Sequence, residues 1–336
     1  MKKLQNFLNW VIGNEVKILL FFLISSFLLK TIYFFFSPIW RVDLFFYIQG
    51  AETIGNGGVL FQDFGEIKPP GIFFIFYFIL KFFGKENIFI GIKILALIVQ
   101  VISAFFFYKT AKILFDKQKA FYLGSFYILA LSLNFHFWPP NVMFLYLLPL
   151  SLAIFFLVRK ESFSFVNLFF VGFFLSICFL ISNNTIFYLL LIPALVWKEK
   201  RNIRAILISC LKTGIGFVIP FLIVFYYFWS NQALDYWYWW NVKWAGIYGG
   251  AFPLWLRLWK LIYGFILSWA LIPLYVYGFI AFKNLIKNKQ FLLNNKLFFI
   301  FSFFIIAFLT RIVLGKGEPR YYLYLLPAFL FIAFSI

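Results

Sequence analysis

The chain has 336 residues, of which 64% are hydrophobic, 26% aromatic and only 12% charged. Water-soluble domains carry about a quarter charged residues, so a soluble globular protein is excluded and a polytopic membrane protein is expected. The formal net charge is +19, but the basic residues cluster between apolar segments, as they do in cytoplasmic loops. No nucleic-acid partner is therefore expected.

A helix that crosses the hydrocarbon core needs about 17–25 mostly apolar residues. By that measure the sequence predicts ten spans, near 18–36, 88–108, 120–137, 142–158, 165–181, 184–197, 205–229, 261–282, 297–314 and 321–336. The N-terminal MKKLQNFLNWVIGNEVK runs into the first of these without a small-residue cleavage site, so it reads as a retained helix. Gly71–Phe83, GIFFIFYFILKFF, is too short to cross and contains Lys81; it is expected to lie as a juxtamembrane helix. The expected fold is all-α: a transmembrane bundle of about ten spans forming one membrane domain, 1–336. The chain ends at Ala333-Phe334-Ser335-Ile336 inside an apolar run, as a truncated span would.

Leaving 71–83 out of the spans assigns every later loop to a side. One set of loops carries Lys109, Lys112, Lys117, Lys119, Arg159, Lys160, Lys198, Lys200, Arg201, Arg204, Lys283, Lys287, Lys289 and Lys296, and shares a side with Lys2 and Lys3. The positive-inside bias makes that side cytoplasmic, in the inner (plasma) membrane. The stretch Arg41–Pro70, the turns at Trp138–Asn141 and Ser182–Thr185, the Ser230–Lys260 loop and Leu314–Arg320 are then external. Asp43, Glu52, Asp63, Glu66, Asp235 and Glu318 fall in these external loops, and no carboxylate lies mid-span. Ion-coupled transporters keep such a group near the midplane, so a transporter is the weaker expectation.

The candidate chemistry sits in the external stretches. Asp43 reads either as a general base held at the interface beyond the Ser37-Pro38 break or as part of a solvated loop. Lys68 is held extended by Pro69-Pro70 and reads either as a point charge for a phosphate or as a lysine reaching for headgroups. Gly55, Gly57 and Gly58 form a flexible turn, not a nucleotide loop. The second large loop sets Trp237, Trp239, Trp240, Trp244, Trp255 and Trp259 among Lys243, Arg257 and Lys260. Such a tryptophan belt marks headgroup level, although aromatic faces also stack on sugars, and Asp235 and Asn241 offer partners for hydroxyls. Cys178 and Cys210 lie in apolar runs without metal-ligand spacing, and His136 has no acidic or thiol neighbour, so neither a disulfide nor a metal site is indicated. Asn183-Asn184-Thr185 matches a glycosylation sequon but falls in a turn too close to the membrane to serve.

These pieces, in this order, resemble the GT-C superfamily of polyprenyl-phosphate-sugar glycosyltransferases, the branch of protein O-mannosyltransferases and lipid A aminoarabinose transferase. The resemblance rests on Asp43 and Tyr47 after the first helix, the Gly57-Gly58 turn, Asp63, and Lys68-Pro69-Pro70 before an apolar helix closed by Gly84. It continues in LDYWYWWN (234–241) and PRYYLYLLPA (319–328). It implies inverting transfer of a sugar from a dolichyl- or undecaprenyl-phosphate carrier to a lipid, glycan or protein acceptor on the outer face. Asp43 would serve the acceptor and Lys68 and Arg320 the phosphate, with Tyr47, Asp63, Glu66, Asn141, Asp235, Asn241 and Tyr321 binding substrate. Two positions depart from the family: Leu44 follows Asp43 where an acidic residue is usual, and Asn141 stands where relatives often have a carboxylate. The competing reading is a non-enzymatic lipid or glycan flippase, or a facilitator.

Overall fold

The computed structural model describes residues 2–36, 42–133, 142–159, 163–250, 253–267, 271–314 and 325–335. All regular structure among them is helical, apart from a single bridge between Leu60 and Phe64. The chain opens with α1 (Lys2–Ile12) and α2 (Glu15–Phe36), bent by 115° at Gly13-Asn14. Asn14 ends one helix and starts the next by accepting, through Oδ1, from the Val16 amide. Two short helices follow, α3 (Val42–Gly55) and α4 (Gly71–Phe83), and then the bundle helices α5 (Ile88–Leu114), α6 (Lys117–Leu133), α7 (Val142–Leu145), α8 (Leu147–Val158) and α9 (Phe165–Ile181). A 3₁₀ stretch, Asn183–Leu190, leads into α10 (Leu191–Lys200) and the long α11 (Ile203–Ser230). The second large loop folds as α12 (Leu234–Tyr238), a π-helical turn (Trp239–Trp244), α13 (Ala245–Gly250) and α14 (Leu254–Leu267). The chain closes with α15 (Ile272–Lys287), α16 (Gln290–Leu293), α17 (Asn295–Leu314) and α18 (Leu326–Ala333).

The all-α expectation holds, but the described residues do not show ten full-length spans. Ile88–Leu114, Ile203–Ser230 and Asn295–Ile312 are long and apolar enough to cross a membrane, and the bent pair Gln5–Ile12 with Glu15–Lys30 makes a fourth. The segment expected at 184–197 begins as 3₁₀ helix, where Thr185 bonds the Ser182 carbonyl through its hydroxyl and competes with the α-helical pattern. The segment expected at 261–282 is described as α14 up to Leu267 and as α15 from Ile272, with Pro273 in the first turn of α15, where its fixed φ is accommodated. Gly71–Phe83 is a short apolar helix, as expected for a juxtamembrane element.

Contacts between distant segments sort the two ends of the bundle. At one end Glu15 pairs with Lys109 (2.8 Å) and Lys112 (2.9 Å), and a shallow cleft gathers Leu114, Val158, Phe163, Lys198, Glu199 and Lys296. At the other end the Arg41–Pro70 stretch packs on the C-terminal parts of α9 and α11 and on the π-helical turn. The basic loops therefore share one end, and the two large polar loops share the opposite one.

The closest helix pair is α9 with α11. Gly172 lies against the Thr213 carbonyl and Gly216 against the Phe169 carbonyl, so closely that a Cβ on either would strike backbone. Small residues that let two backbones touch are the usual means of joining helices in lipid, where apolar surface gains nothing from burial. Gly216→Ala should accordingly lower stability by about 1–3 kcal/mol, the range for overpacking. Gly214→Ala, two residues away and facing open space, should be neutral or stabilising by up to about 1 kcal/mol. Unfolding midpoints of the two variants in the same detergent provide the comparison.

Candidate functional site

Of the polar stretch that ends at Pro70, the described residues 42–70 are more structured than a loop. Its first part is α3, with Asp43 in the first turn, where unpaired backbone amides favour a carboxylate. One turn on, Tyr47 is buried edge-on to Phe73 (6.0 Å) and Phe76 (5.5 Å) of α4. Gly50 abuts the Phe73 ring, and Gly55 abuts Tyr77 and Leu80, so α3 and α4 run in the same sense across their contact. The segment between them has to fold back along the pair. Asp43 and Lys68 consequently both lie on the N-terminal side of that contact, each half-buried, although no ion pair joins them.

The returning segment is fixed by its own side chains. Asp63 accepts from the Val59 amide (2.6 Å), and Glu66 from the Ile67 amide (2.8 Å), so both carboxylates close turns. Gly57 takes φ +83, a conformation that glycine adopts without strain. The Leu60 amide donates to Tyr227 Oη of α11 (3.2 Å), Phe61 stacks on Phe228 (5.4 Å), and Phe74 meets Tyr227 edge-on (5.0 Å). Gly71 lies so close to Leu180 that a Cβ there would stand 2.6 Å from its carbonyl oxygen, and Gly65 seats against the Trp240 indole. Glu52, facing away, pairs with Lys85 (2.8 Å).

The second loop supplies the facing wall. Trp237 stacks at 6.3 Å on Phe228, and Lys243 lies 4.3 Å over the exposed Trp239. Asp235 is exposed, whereas Asn241 is 7% exposed and sits inside the π-helical turn. Asn183 Nδ2 donates to the Asn241 backbone carbonyl (3.4 Å), which ties the 3₁₀ stretch to this turn. A cavity of about 150 Å³ opens where Pro70, Leu180, Asn183, Trp237 and Asn241 converge. Asp43, Tyr47, Asp63, Glu66, Lys68, Asp235 and Asn241 thus all belong to one end of the bundle, and of these only Asn241 lines the cavity. Asn141, Arg320, Tyr321 and His136 lie outside the described residues.

Compared with known protein families, no family model matches the chain, and no characterised protein matches it in sequence.

The sequence reading passed over two cations inside the apolar helices. Lys30 of α2 is buried with its ammonium 4.7 Å from the Phe144 ring centroid, and Arg311 of α17 is fully buried. Their signal was present as single charges within apolar runs, a placement that is costly in lipid and commonly functional. Deeper in the bundle, Gln100 Nε2 donates to Ser26 (3.2 Å) and Ser132 (2.8 Å) and joins α2, α5 and α6 through a polar cluster. Asn183, set aside as a sequon residue, proves to be part of the cavity wall.

The docking of the returning segment on α9 predicts a local effect. Gly71→Ala should push the start of α4 off Leu180 and speed hydrogen exchange of the Leu60 and Phe73–Phe76 amides at least about tenfold, equivalent to about 1.4 kcal/mol of lost protection. Exchange in α5 should stay unchanged, as read by mass spectrometry on the protein in nanodiscs.

Proposed function

We propose that the chain is a membrane glycosyltransferase of the GT-C kind, moving a sugar from a polyprenyl-phosphate carrier to a lipid, glycan or protein acceptor. The reading is supported most by the folded Arg41–Pro70 stretch. It carries a carboxylate and an ammonium on the same side of the α3–α4 contact and is clamped against helices apolar enough to hold a lipid tail. On this reading the protein lies in the plasma membrane with its N-terminus cytoplasmic and this stretch outside, as the distribution of basic residues favours.

The chemistry is an inverting displacement. Asp43 accepts the proton of the acceptor hydroxyl as its oxygen bonds to the anomeric carbon. The bond from that carbon to the carrier phosphate breaks on the opposite face, and the phosphate leaves with the electron pair. Lys68 and Arg320 offset the charge that develops on it. Asp63 and Glu66 act through the shape of the segment, while Asn141, Asp235, Asn241 and Tyr321 bind the polar parts of donor and acceptor. Tyr47, buried between α3 and α4, orients Asp43 by anchoring the turn beneath it.

Positioned base catalysis contributes about 10²–10⁴-fold, so Asp43→Asn should reduce transfer at least a hundredfold. Lys68→Ala should raise KM for the donor and lower kcat. The assay uses the purified protein in nanodiscs with a panel of polyprenyl-phosphate hexoses and pentoses, with thermal melts confirming that both variants fold. Unchanged transfer in both would sink the proposal.

A second reading, movement of an anionic lipid or glycan lipid across the bilayer, is favoured by one observation: Lys30, Arg311 and the Gln100 cluster lie buried inside the helices. Under it, Arg311→Leu would stop translocation of a fluorescent lipid phosphate in proteoliposomes, and Asp43→Asn would leave it intact.

A further inference from the structure

The end of the bundle where the basic loops gather holds a cleft that neither functional reading uses. It opens where the last turns of α5, α8 and α10 meet the first turns of α17. Leu114, Leu157 and Phe299 are buried and give it an apolar floor, while Lys198, Glu199 and Lys296 stand at its mouth. The space is about 150 Å³, equal to about five waters at ~30 Å³ each.

Both lysines are placed by the chain around them. Lys198 donates through Nζ to the Leu292 carbonyl and stands 5.8 Å from the centre of the Phe298 ring. An ammonium has three donors, and that carbonyl takes one. Asn294 Oδ1 accepts from the Lys296 amide (2.8 Å) and the Leu297 amide (3.4 Å), which fixes the turn that carries Lys296. Glu199 is the one carboxylate among the described residues that line the cleft, and it already lies 3.6 Å from Lys200. Among the described residues Lys296 pairs with no carboxylate. Three lysines against one glutamate leave two positive charges at the mouth of an apolar cleft.

These surfaces together select an amphipathic anion. A free inorganic anion would meet the lysines and leave the apolar floor in water. A neutral hydrocarbon would cover the floor and leave the charge unanswered. An anionic phospholipid meets both demands, with its phosphate at the ammonium groups and the glycerol and first methylenes of a chain over the floor. Depth agrees with this: Trp197, next to Lys198, is 48% exposed, and tryptophans of that kind mark headgroup level.

We propose that this cleft is a binding site for one anionic phospholipid of the leaflet at the basic end, held through its phosphate by Lys198 and Lys296. The site is independent of the transfer and translocation readings, because its residues take part in neither.

The test titrates the full chain, purified in a neutral detergent, with palmitoyl-oleoyl phosphatidylglycerol or with phosphatidylcholine of the same chains, and counts bound lipids by native mass spectrometry. A lysine near the membrane surface favours an anionic lipid by about fivefold, so phosphatidylglycerol should bind about thirtyfold more tightly than phosphatidylcholine. Lys198→Gln combined with Lys296→Gln should remove that preference and leave phosphatidylcholine binding unchanged. Lys283→Gln combined with Lys287→Gln takes the same charge from α15, outside the cleft, and should leave the preference intact. Val158→Phe fills the cleft and keeps both lysines; it should also weaken phosphatidylglycerol binding, so the proposal stays testable if the first pair does not fold. Glycerol 3-phosphate should not displace the lipid. Equal binding of the two lipids by the wild type, an equal loss in the α15 pair, or unchanged binding in a folded Val158→Phe would overturn the proposal. Displacement by glycerol 3-phosphate would overturn it too, by making the cleft a site for a soluble phosphate.

Discussion

The close approach of α9 and α11, with Gly172 on the Thr213 carbonyl and Gly216 on the Phe169 carbonyl, governs how this end of the molecule is built. Water drives soluble helices together by hydrophobic burial, but lipid provides no such force, so close backbone approach has to hold the pair. Below the contact α9 and α11 cannot move apart. Above it the two helices meet again through Phe179 and Phe221 (6.5 Å between ring centroids), beside the cavity that Pro70 and the second loop help to line. One to two turns beyond those glycines the same helices line the cavity with Phe179, Phe221 and Phe225, and Trp237 faces them.

The two ends of the bundle follow different physics. At the basic end, solvent-accessible ion pairs such as Glu15 with Lys109 and Lys112 contribute little to stability. At the other end the contacts are aromatic and main-chain: Phe61 on Phe228, Leu60 to Tyr227, Gly65 on Trp240. These contacts are aromatic faces and a main-chain amide, and none of the three is an ion pair.

Much of the architecture was legible because hydrophobic run length is a direct record of burial in lipid. The long helices α5, α11 and α17, the short α4, and the sorting of basic loops could all be read that way. Interruptions were harder to read. The 3₁₀ stretch Asn183–Leu190 occurs in a run as apolar as any span, and local side-chain competition decides it. The site was legible as composition, not as geometry. Asp43 and Lys68 were picked out by residue type, yet α3 was not foreseen as a helix, and its same-sense packing on α4 depends on glycine contacts with residues some 25 positions away. The burial of Asn241 was hidden for a related reason: a tryptophan-rich string reads as an interfacial belt whichever residue faces inward. Lys30 and Arg311 are visible in the sequence as single charges within apolar runs, but their burial depends on packing against other helices.

The bond from Leu60 to Tyr227 joins residues 167 positions apart. In a chain made from its N-terminus at about 5–20 residues per second, the first polar segment is complete roughly ten to thirty seconds before its support exists. During that interval Phe61, Phe64 and Phe73 are covered by one another and by α3, Phe73 meeting both of the other rings and Tyr47. That aromatic cluster gives the waiting segment a provisional core of its own. Its final seating is therefore a late event of assembly, set by the emergence of α11, and damage to α11 would strand the segment with its aromatic surface uncovered.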